Sequence, residues 1–458
     1  MFILEVAGPD RRGRQRGPCQ GLISGRRVFK NRSFSFEGDD QMDSKERKGM
    51  SRRDFAKSSA LAGFAIMSAS ALAKAANTDT LKVGLLGCGG RGTGAAINML
   101  EGKNNVKLVA MADLFEDRLK ASLDQIKGHK NPDVVAACAV EPDQCFVGFD
   151  AYEKILKTDI DILIEGTLPY SRPKHVEAAI NAGKHVFTEK PVAVDPDGIR
   201  QFIAAAEKAK EKKLSLVAGT QRRHQKEYIE TIKKIHDGAI GDVLSMRAYW
   251  CGSLPFAKER DPKWSDLEYR IRNWYGQCWV AGDSIVEQHV HNIDVCNWVM
   301  NAHPIRVFAM GGRAWKPAEE KYGDIFDHFA CDYEYENGVH MTSFCRHWEK
   351  CAEGVFENVV GTKGLSKCTD LGEAGENPYV QEHIDLVKSI RGEGEYLNEG
   401  VQVAESTMTA IMGRMSAYTG QVQVWGKALK EDLKLVPEVL DFSKPYPLGP
   451  VPTPGKRD

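Results

Sequence analysis

Two short stretches hold the side chains best suited to moving protons. In Glu189-Lys190-Pro191 a lysine follows an apolar run, His185-Val186-Phe187-Thr188, that reads as a strand. The carboxyl end of a parallel strand opens into a ligand crevice, and the apolar strand would strip water from the ammonium. Desolvation and a neighbouring positive charge both lower a lysine pKa, which makes Lys190 a candidate proton shuttle. Glu189 can orient it or contact a ribose, and Pro191 fixes the turn, a cis peptide being one way to do so. The competing reading is a surface lysine in a strand-to-helix loop. The second stretch is Gly282-Asp283-Ser284-Ile285-Val286-Glu287-Gln288-His289-Val290-His291-Asn292-Ile293-Asp294. On one continuous helix Glu287 and His291 share a face and Asp294 continues the stripe. An acid that orients an imidazole facing substrate is what general acid–base work on a hydroxyl requires. Lys190, His291 and Glu287 are therefore the candidate catalytic residues. His289 leaves that face and reads as a buried, hydrogen-bonded histidine. A His-x-His metal pair with Glu287 has only weak spacing behind it, and no metal is expected.

Such groups need a partner to act on, and residues 81–113 carry a nucleotide-binding pattern. An apolar run over 81–86 reads as a buried parallel strand. Gly87, Gly89 and Gly92 then form G-x-G-x-x-G, with Cys88, Gly90 and Arg91 filling the loop. A helical segment over 93–100 and a second apolar run over 106–112 follow, ending in Asp113, about 21 residues past the last glycine. Gly87 allows the tight turn, Gly89 lets the backbone approach a pyrophosphate, and Gly92 lets helix and strand pack closely. The helix start offers free N–H groups to phosphates. Asp113 can accept from ribose hydroxyls and repels a 2′-phosphate, which favours NAD over NADP. The bland alternative is a glycine-rich turn in a chain of 43 glycines, with Asp113 an ordinary strand-end residue.

The elements that position these residues alternate. Helix is expected over 115–127, strand over 145–147, helix over 151–157 capped by Asp150, and strand over 160–164 ending at Gly166-Thr167. Helix over 174–182, strand over 185–188, helix over 197–210 and strand over 214–218 complete a parallel, doubly wound sheet. At this point the order Gly87-Cys88-Gly89-Gly90-Arg91-Gly92, Asp113, then Ala182-Gly183-Lys184-His185-Val186-Phe187-Thr188-Glu189-Lys190-Pro191 resembles the glucose–fructose oxidoreductase, inositol dehydrogenase and MocA family (Gfo/Idh/MocA). The match runs from about residue 80 to 420, and Glu-Lys-Pro after the fifth strand is its specific part. The resemblance implies an α/β fold: an N-terminal Rossmann sheet plus a C-terminal α/β domain with a large, mostly antiparallel open sheet. It also implies NAD as cofactor, catalysis by Lys190 and His291, and homo-oligomers built through the sheet's outer face. Two positions depart from the family pattern. Glu287 stands where Asp is usual, one methylene longer, and Thr167-Leu168-Pro169 interrupts a Thr-Pro pair, leaving Thr167 as the cofactor contact there.

Beyond Gln221-Arg222-Arg223-His224 the pattern shifts toward strands over 244–250, 305–310, 326–335 and 340–345, with Asn337-Gly338 as a type I′ hairpin turn. The stretch 250–279 is aromatic and charged, carrying Trp264, Tyr269, Arg272, Trp274 and Tyr275. Sugars stack on aromatic faces and take hydrogen bonds from Arg, so it is a candidate substrate wall or, equally, a set of core aromatics. Arg223, Trp274 and Asp294 are the candidate substrate contacts. The domains are then a nucleotide-binding unit over 80–220, a substrate unit over 221–433, and a Pro- and Lys-rich wrapping tail over 434–458.

Ser51-Arg52-Arg53-Asp54-Phe55-Ala56-Lys57 resembles a twin-arginine export signal, with Ala56 where Leu is usual. Small apolar residues over 60–73 and an Ala-x-Ala site complete a signal over 50–76. A basic patch beside an amphipathic helix is the alternative. Translation is expected to begin at Met50 or Met42, residues 1–49 being a disordered or mis-assigned extension. The expected location is periplasmic or otherwise exported, with the twin-arginine translocase as partner. That route carries folded proteins, so the 11 scattered cysteines need not pair. A net charge of −1 gives no field for nucleic acid, and no apolar run reaches the roughly 18 residues of a membrane span.

The expected activity is hydride transfer between a sugar or cyclitol hydroxyl and NAD. Because an exported enzyme meets no free NAD pool, the cofactor should stay bound and be regenerated in place. Redox-neutral glycoside cleavage through a transient 3-keto sugar is the alternative, and a non-catalytic sugar-binding protein the second.

Overall fold

The computed structural model describes residues 79–455; the export-signal stretch and residues 1–49 lie outside them. The apolar runs become six parallel strands: β1 (Leu81–Leu86), β2 (Val106–Asp113), β3 (Cys145–Val147), β4 (Ile162–Glu165), β5 (His185–Thr188) and β6 (Leu216–Ala218). Their order is β3-β2-β1-β4-β5-β6. Every β4 side chain is buried, as a sheet covered on both faces demands. The order reverses between β1 and β4, and the crevice outside the strand ends at that point is where such a sheet takes its ligand.

Between the strands run α1 (Gly90–Glu101), α2 (Glu116–Lys127), α3 (Pro132–Ala137), α4 (Ala151–Leu156), α5 (Arg172–Asn181) and α6 (Pro196–Glu211). The short α3 has no counterpart in the sequence reading; Asn131 caps it by accepting from the Asp133 N–H at 3.0 Å. Asp150 precedes α4 as expected but does not cap it with its side chain, which pairs with Lys154 instead. The glycine loop ahead of α1 depends on contact distance. A Cβ at Gly92 would lie 1.9 Å from the Gly87 carbonyl oxygen, and Gly87 itself has φ +95°.

The second sheet comprises β7 (Val243–Gly252), β8 (Arg306–Gly312), β9 (His328–Glu334), β10 (His340–His347), β11 (Gly354–Gly361), β12 (Leu365–Ser366) and β13 (Gln423–Val424). The order is β12-β11-β7-β10-β9-β8-β13, with β7 and β10 parallel and the other neighbours antiparallel. The β9–β10 turn is not type I′. Tyr335 and Val339 close a three-residue loop in which Gly338, not Asn337, takes positive φ, the form with a type I turn and a bulge. The helices α7 (Val290–Met300) and α8 (Gly400–Thr419) cover the inner face of this sheet. α8 also packs against α6, and one apolar cluster runs from Leu163 and Phe202 through Met408 to Met341. The two halves share a core, which fixes the second relative to the nucleotide crevice. No helix among the described residues is long and apolar enough to cross a membrane.

Candidate active site

A cavity of about 840 Å³ opens at the carboxyl ends of the parallel strands. Gly87, Gly89, Gly90, Arg91 and Asp113 line one end, and Thr167, Glu189 and Lys190 follow along it. Trp250, Trp274, Glu287 and His291 from the second half close the other end. Of the remaining loop residues, Gly92 serves the close packing of α1, and Cys88 contributes its backbone N–H, which donates to Asp113 Oδ2 at 2.6 Å. The Phe115 N–H donates to the other oxygen at 2.8 Å. Burial pushes the Asp113 carboxyl up while these two donors oppose the rise. A Cβ at Gly89 or Gly90 would meet nothing within 4 Å, so the loop leaves open room for phosphates. Loop, helix start and acid together fit a dinucleotide.

At the reacting end, the Lys190–Pro191 peptide is cis. Lys190 Nζ donates to the Glu287 carbonyl oxygen at 2.6 Å and lies 3.4 Å from Glu287 Oε1. Glu189 does not orient this lysine. Its Oε1 accepts from Arg91 Nε at 2.5 Å, and its carboxylate packs under Gly219, where a Cβ would be 2.6 Å from Oε2. Arg91 in turn stands 5.0 Å over the Tyr379 ring.

The continuous helix expected through Glu287 and His291 is broken. One turn spans Ser284–Glu287, Gln288 and His289 intervene, and α7 starts at Val290. Glu287 therefore turns to Lys190, and His291 Nδ1 is buried without a hydrogen-bond partner. Burial first, then the charges of Lys190, Arg222 and Arg91, hold the His291 imidazole well below its usual 6.5, so it is neutral. Trp250 lies nearly parallel to it, 6.0 Å between ring centres. His289 is fully buried and bonded to Ser343 at 2.7 Å, as its position suggested.

Arg223 and Asp294 do not reach the cavity. They hold each other through two bonds of 2.8 and 2.9 Å, and Asp294 also accepts from Ser406 at 2.8 Å, tying α7 to α8. Of the aromatic stretch, Trp250 and Trp274 line the cavity while Tyr269 and Tyr275 are core residues. Two site residues escaped the sequence reading. Arg172 donates to the carbonyls of Pro191 at 2.6 Å and Thr167 at 2.5 Å, lashing together the loops after β4 and β5. Gln288 lines the cavity with its Oε1 2.8 Å from His347 Nε2. Burial keeps His347 neutral, its pKa pushed down to about 3, and because an amide oxygen only accepts, this contact calls for the tautomer with its N–H on Nε2. Neither had a spacing signal: Arg172 is spent on backbone carbonyls, which leave no pattern of residue types, and the partner of Gln288 lies 59 residues away.

A doubly wound sheet with a dinucleotide cradle, and a lysine and a neutral histidine lining the same crevice, defines a nucleotide-dependent oxidoreductase class. Residues 81–216 match the profile described as oxidoreductase family, NAD-binding Rossmann fold, and residues 228–366 match the GFO/IDH/MocA C-terminal domain. Together these cover more than half of the sequence: the chain belongs to the Gfo/Idh/MocA family, and NAD is its cofactor. The inositol 2-dehydrogenase of Salmonella typhimurium is 27% identical over 227 residues, 48% of this chain and 55% of that protein. The inositol 2-dehydrogenase/D-chiro-inositol 3-dehydrogenase of Halalkalibacterium halodurans is 28% identical over 223 residues, 48% and 53%. The chain thus spans about half the length of the curated relatives it matches. Scyllo-inositol dehydrogenase from Lactobacillus casei, solved with NAD(H) and scyllo-inositol, is similar with TM-score 0.59 at 19% identity, covering 76% of this chain and 100% of that one. Aldose-aldose oxidoreductase from Caulobacter crescentus gives 0.58 at 20% identity, covering 75% and 99%. At such identity the likeness is one of fold.

Proposed function

We propose that this chain is an NAD-dependent dehydrogenase of a sugar or cyclitol hydroxyl, exported by the twin-arginine route with its cofactor already bound. The observation that carries the reading is the single cavity joining Asp113 and the glycine loop to Lys190 and His291. A nicotinamide dinucleotide held by Asp113 and the glycine loop would supply the hydride acceptor for the carbinol carbon. The neutral His291 ring accepts the hydroxyl proton; with Lys190, Arg222 and Arg91 disfavouring its charged form, it then gives that proton up readily. Lys190, held by the Glu287 carbonyl, aims an N–H at the substrate oxygen and stabilises its developing negative charge. Trp250 and Trp274 offer apolar faces to the ring carbons.

The test starts from native protein. Denaturing part of the sample and identifying the released nucleotide by mass spectrometry is expected to yield NAD. Adding myo-inositol, scyllo-inositol and a panel of aldoses to the rest, with no external cofactor, is expected to raise the reduced-nicotinamide absorbance with at least one of them. Bound NAD that none of them reduces sinks the dehydrogenase reading. Release of an aglycone from a glycoside without net reduction replaces it with redox-neutral cleavage.

A further inference from the structure

The nucleotide cavity has a wall that neither family domain supplies. Val436, Pro437, Glu438 and Leu440 line it, beyond the matched segments 81–216 and 228–366. We propose that segment 435–442 is part of the dinucleotide site: it closes the adenosine half of the cavity and sets how slowly the cofactor leaves. This rests on the NAD reading above.

The segment is fastened on both sides of the crevice. On the β5 side the Leu435 N–H donates to Asp195 Oδ2 at 2.8 Å, the residue that also caps α6. On the β2–β3 side the Phe442 ring packs 6.0 Å from Phe115 and 5.0 Å from Phe149, centre to centre. Phe115 follows Asp113 by two residues, and both rings line the cavity. Beyond the clasp, the Asp441 N–H donates to Tyr446 Oη at 3.0 Å, and the Tyr446 carbonyl accepts from Arg270 Nε at 3.2 Å, so the second half of the protein holds the segment down. Arg272, two residues further on, grips both oxygens of Asp117 at 2.9 Å and lies 3.9 Å over the Phe115 ring.

The ligand chemistry of this corner follows from Asp113. With the ribose hydroxyls on that carboxylate, the attached base extends past β2 toward Phe115 and Phe149. A purine is flat and largely apolar on its faces, and rings with aliphatic side chains opposite suit it. Leu440, two residues before the Phe442 clasp, and Val436, next to the Leu435 anchor, bring aliphatic side chains to the same cavity on a stretch of chain anchored at each end. A nucleotide bound beneath leaves only when one anchor opens, so the segment acts on the dissociation rate.

Release of NAD from the loaded full-length protein, followed by stopped-flow after mixing with excess unlabelled nucleotide trap, tests this. F442A removes the clasp and is expected to speed release about tenfold, the worth of an aromatic pair or two. L440S is expected to act in the same direction. V439S, at a side chain 56% exposed on the outer side, is expected to leave release unchanged. Thermal unfolding of the nucleotide-free proteins keeps a folding defect distinct from a binding one. Release by folded F442A and L440S within about twofold of wild type overturns the proposal, as does slower release, which would make the segment an obstruction. Wild-type protein that binds no NAD overturns the cofactor reading first and the proposal with it, a result separable from the variants' behaviour.

Discussion

A neutral imidazole beside an ammonium is the feature that pH reads most directly in this site. Burial, Lys190, Arg222 and Arg91 all push His291 in one direction, well below its ordinary 6.5. Its working form is the unprotonated base, so kcat/KM is expected to be flat around neutrality and to fall on an acid limb lying below pH 6.5. Lys190→Met removes one of the charges that depress the ring. It should lower kcat and at the same time move the acid limb to higher pH, because the protonated ring becomes easier to form. A purely structural role for Lys190 would lower the rate and leave the limb where it was. His291→Asn is expected to cost about 10²–10⁴ in kcat/KM while NAD binding persists, the range for loss of a general base. Glu287→Gln should cost less, since Lys190 takes its shorter bond from the Glu287 backbone carbonyl rather than from the carboxylate.

At the scale of elements, the turn Gln221–His224 after β6 is pinned by a charge. His224 Nδ1 is 2.8 Å from Asp385 on the helix Pro378–Arg391, and Nε2 is 3.1 Å from Glu399 at the start of α8. Burial disfavours the charged ring, but Glu399, Asp385 and Glu382 together outweigh it and raise the pKa to about 10. The folded value exceeds the unfolded one, so this stabilisation is complete below the ordinary 6.5 and is lost as pH rises through about 10. His224→Gln should cost about 3 kcal/mol at pH 6, as when one partner of a buried pair is removed, and visibly less near pH 10. Guanidinium unfolding at the two pH values measures the difference; an equal deficit at both would mean that the tie is not ionic. Elements of this kind also mark where sequence reading ended. The glycine loop, Asp113, β5 and Lys190 were legible because local apolar runs and glycine spacing dictate them. The break between Glu287 and His291 was not, since it falls at Gln288 and His289, where His289 reaches Ser343 on β10, a contact 54 residues away. β11 was hidden by Glu357, a carboxylate buried inside the sheet by Arg222, Tyr228 and Asn292. Arg223 and Asp294 had the residue types of a sugar site, and types alone do not say that the two side chains are spent on each other.

At the scale of the whole molecule, the outer face of the second sheet has no covering layer among the described residues. Strand pairing aligns Met310 of β8 with Ala330, Ala330 with Phe344, Phe344 with Tyr249, and Tyr249 with Phe356 of β11. That is one registered apolar row across five strands, with Tyr249 stacked on Phe356 at 4.5 Å and tilted against Phe344 at 5.2 Å. Met310 is 61% exposed and its neighbour Phe308 54%, whereas the inward residues of the same strands, Met246, Cys331, Tyr333 and Met341, are buried. Five strands about 4.8 Å apart and about eight residues long present a face of roughly 24 by 27 Å. Doubled across a two-fold axis, that is on the order of 1,300 Å², just inside the range of stable interfaces. An isologous contact through this face, the arrangement the family resemblance implies, brings the row against its own copy and is expected to make the protein a dimer or a multiple of one. Light scattering on the eluting full-length protein should give that mass. Phe344→Asp places an unpaired charge at the centre of the row and should shift the mass to one chain while leaving NAD binding intact, because the cavity lies on the opposite side of β7 and β10, where Trp250 faces inward. A wild-type monomer at micromolar concentration, or a Phe344→Asp protein of undiminished mass, would leave the row to some other partner.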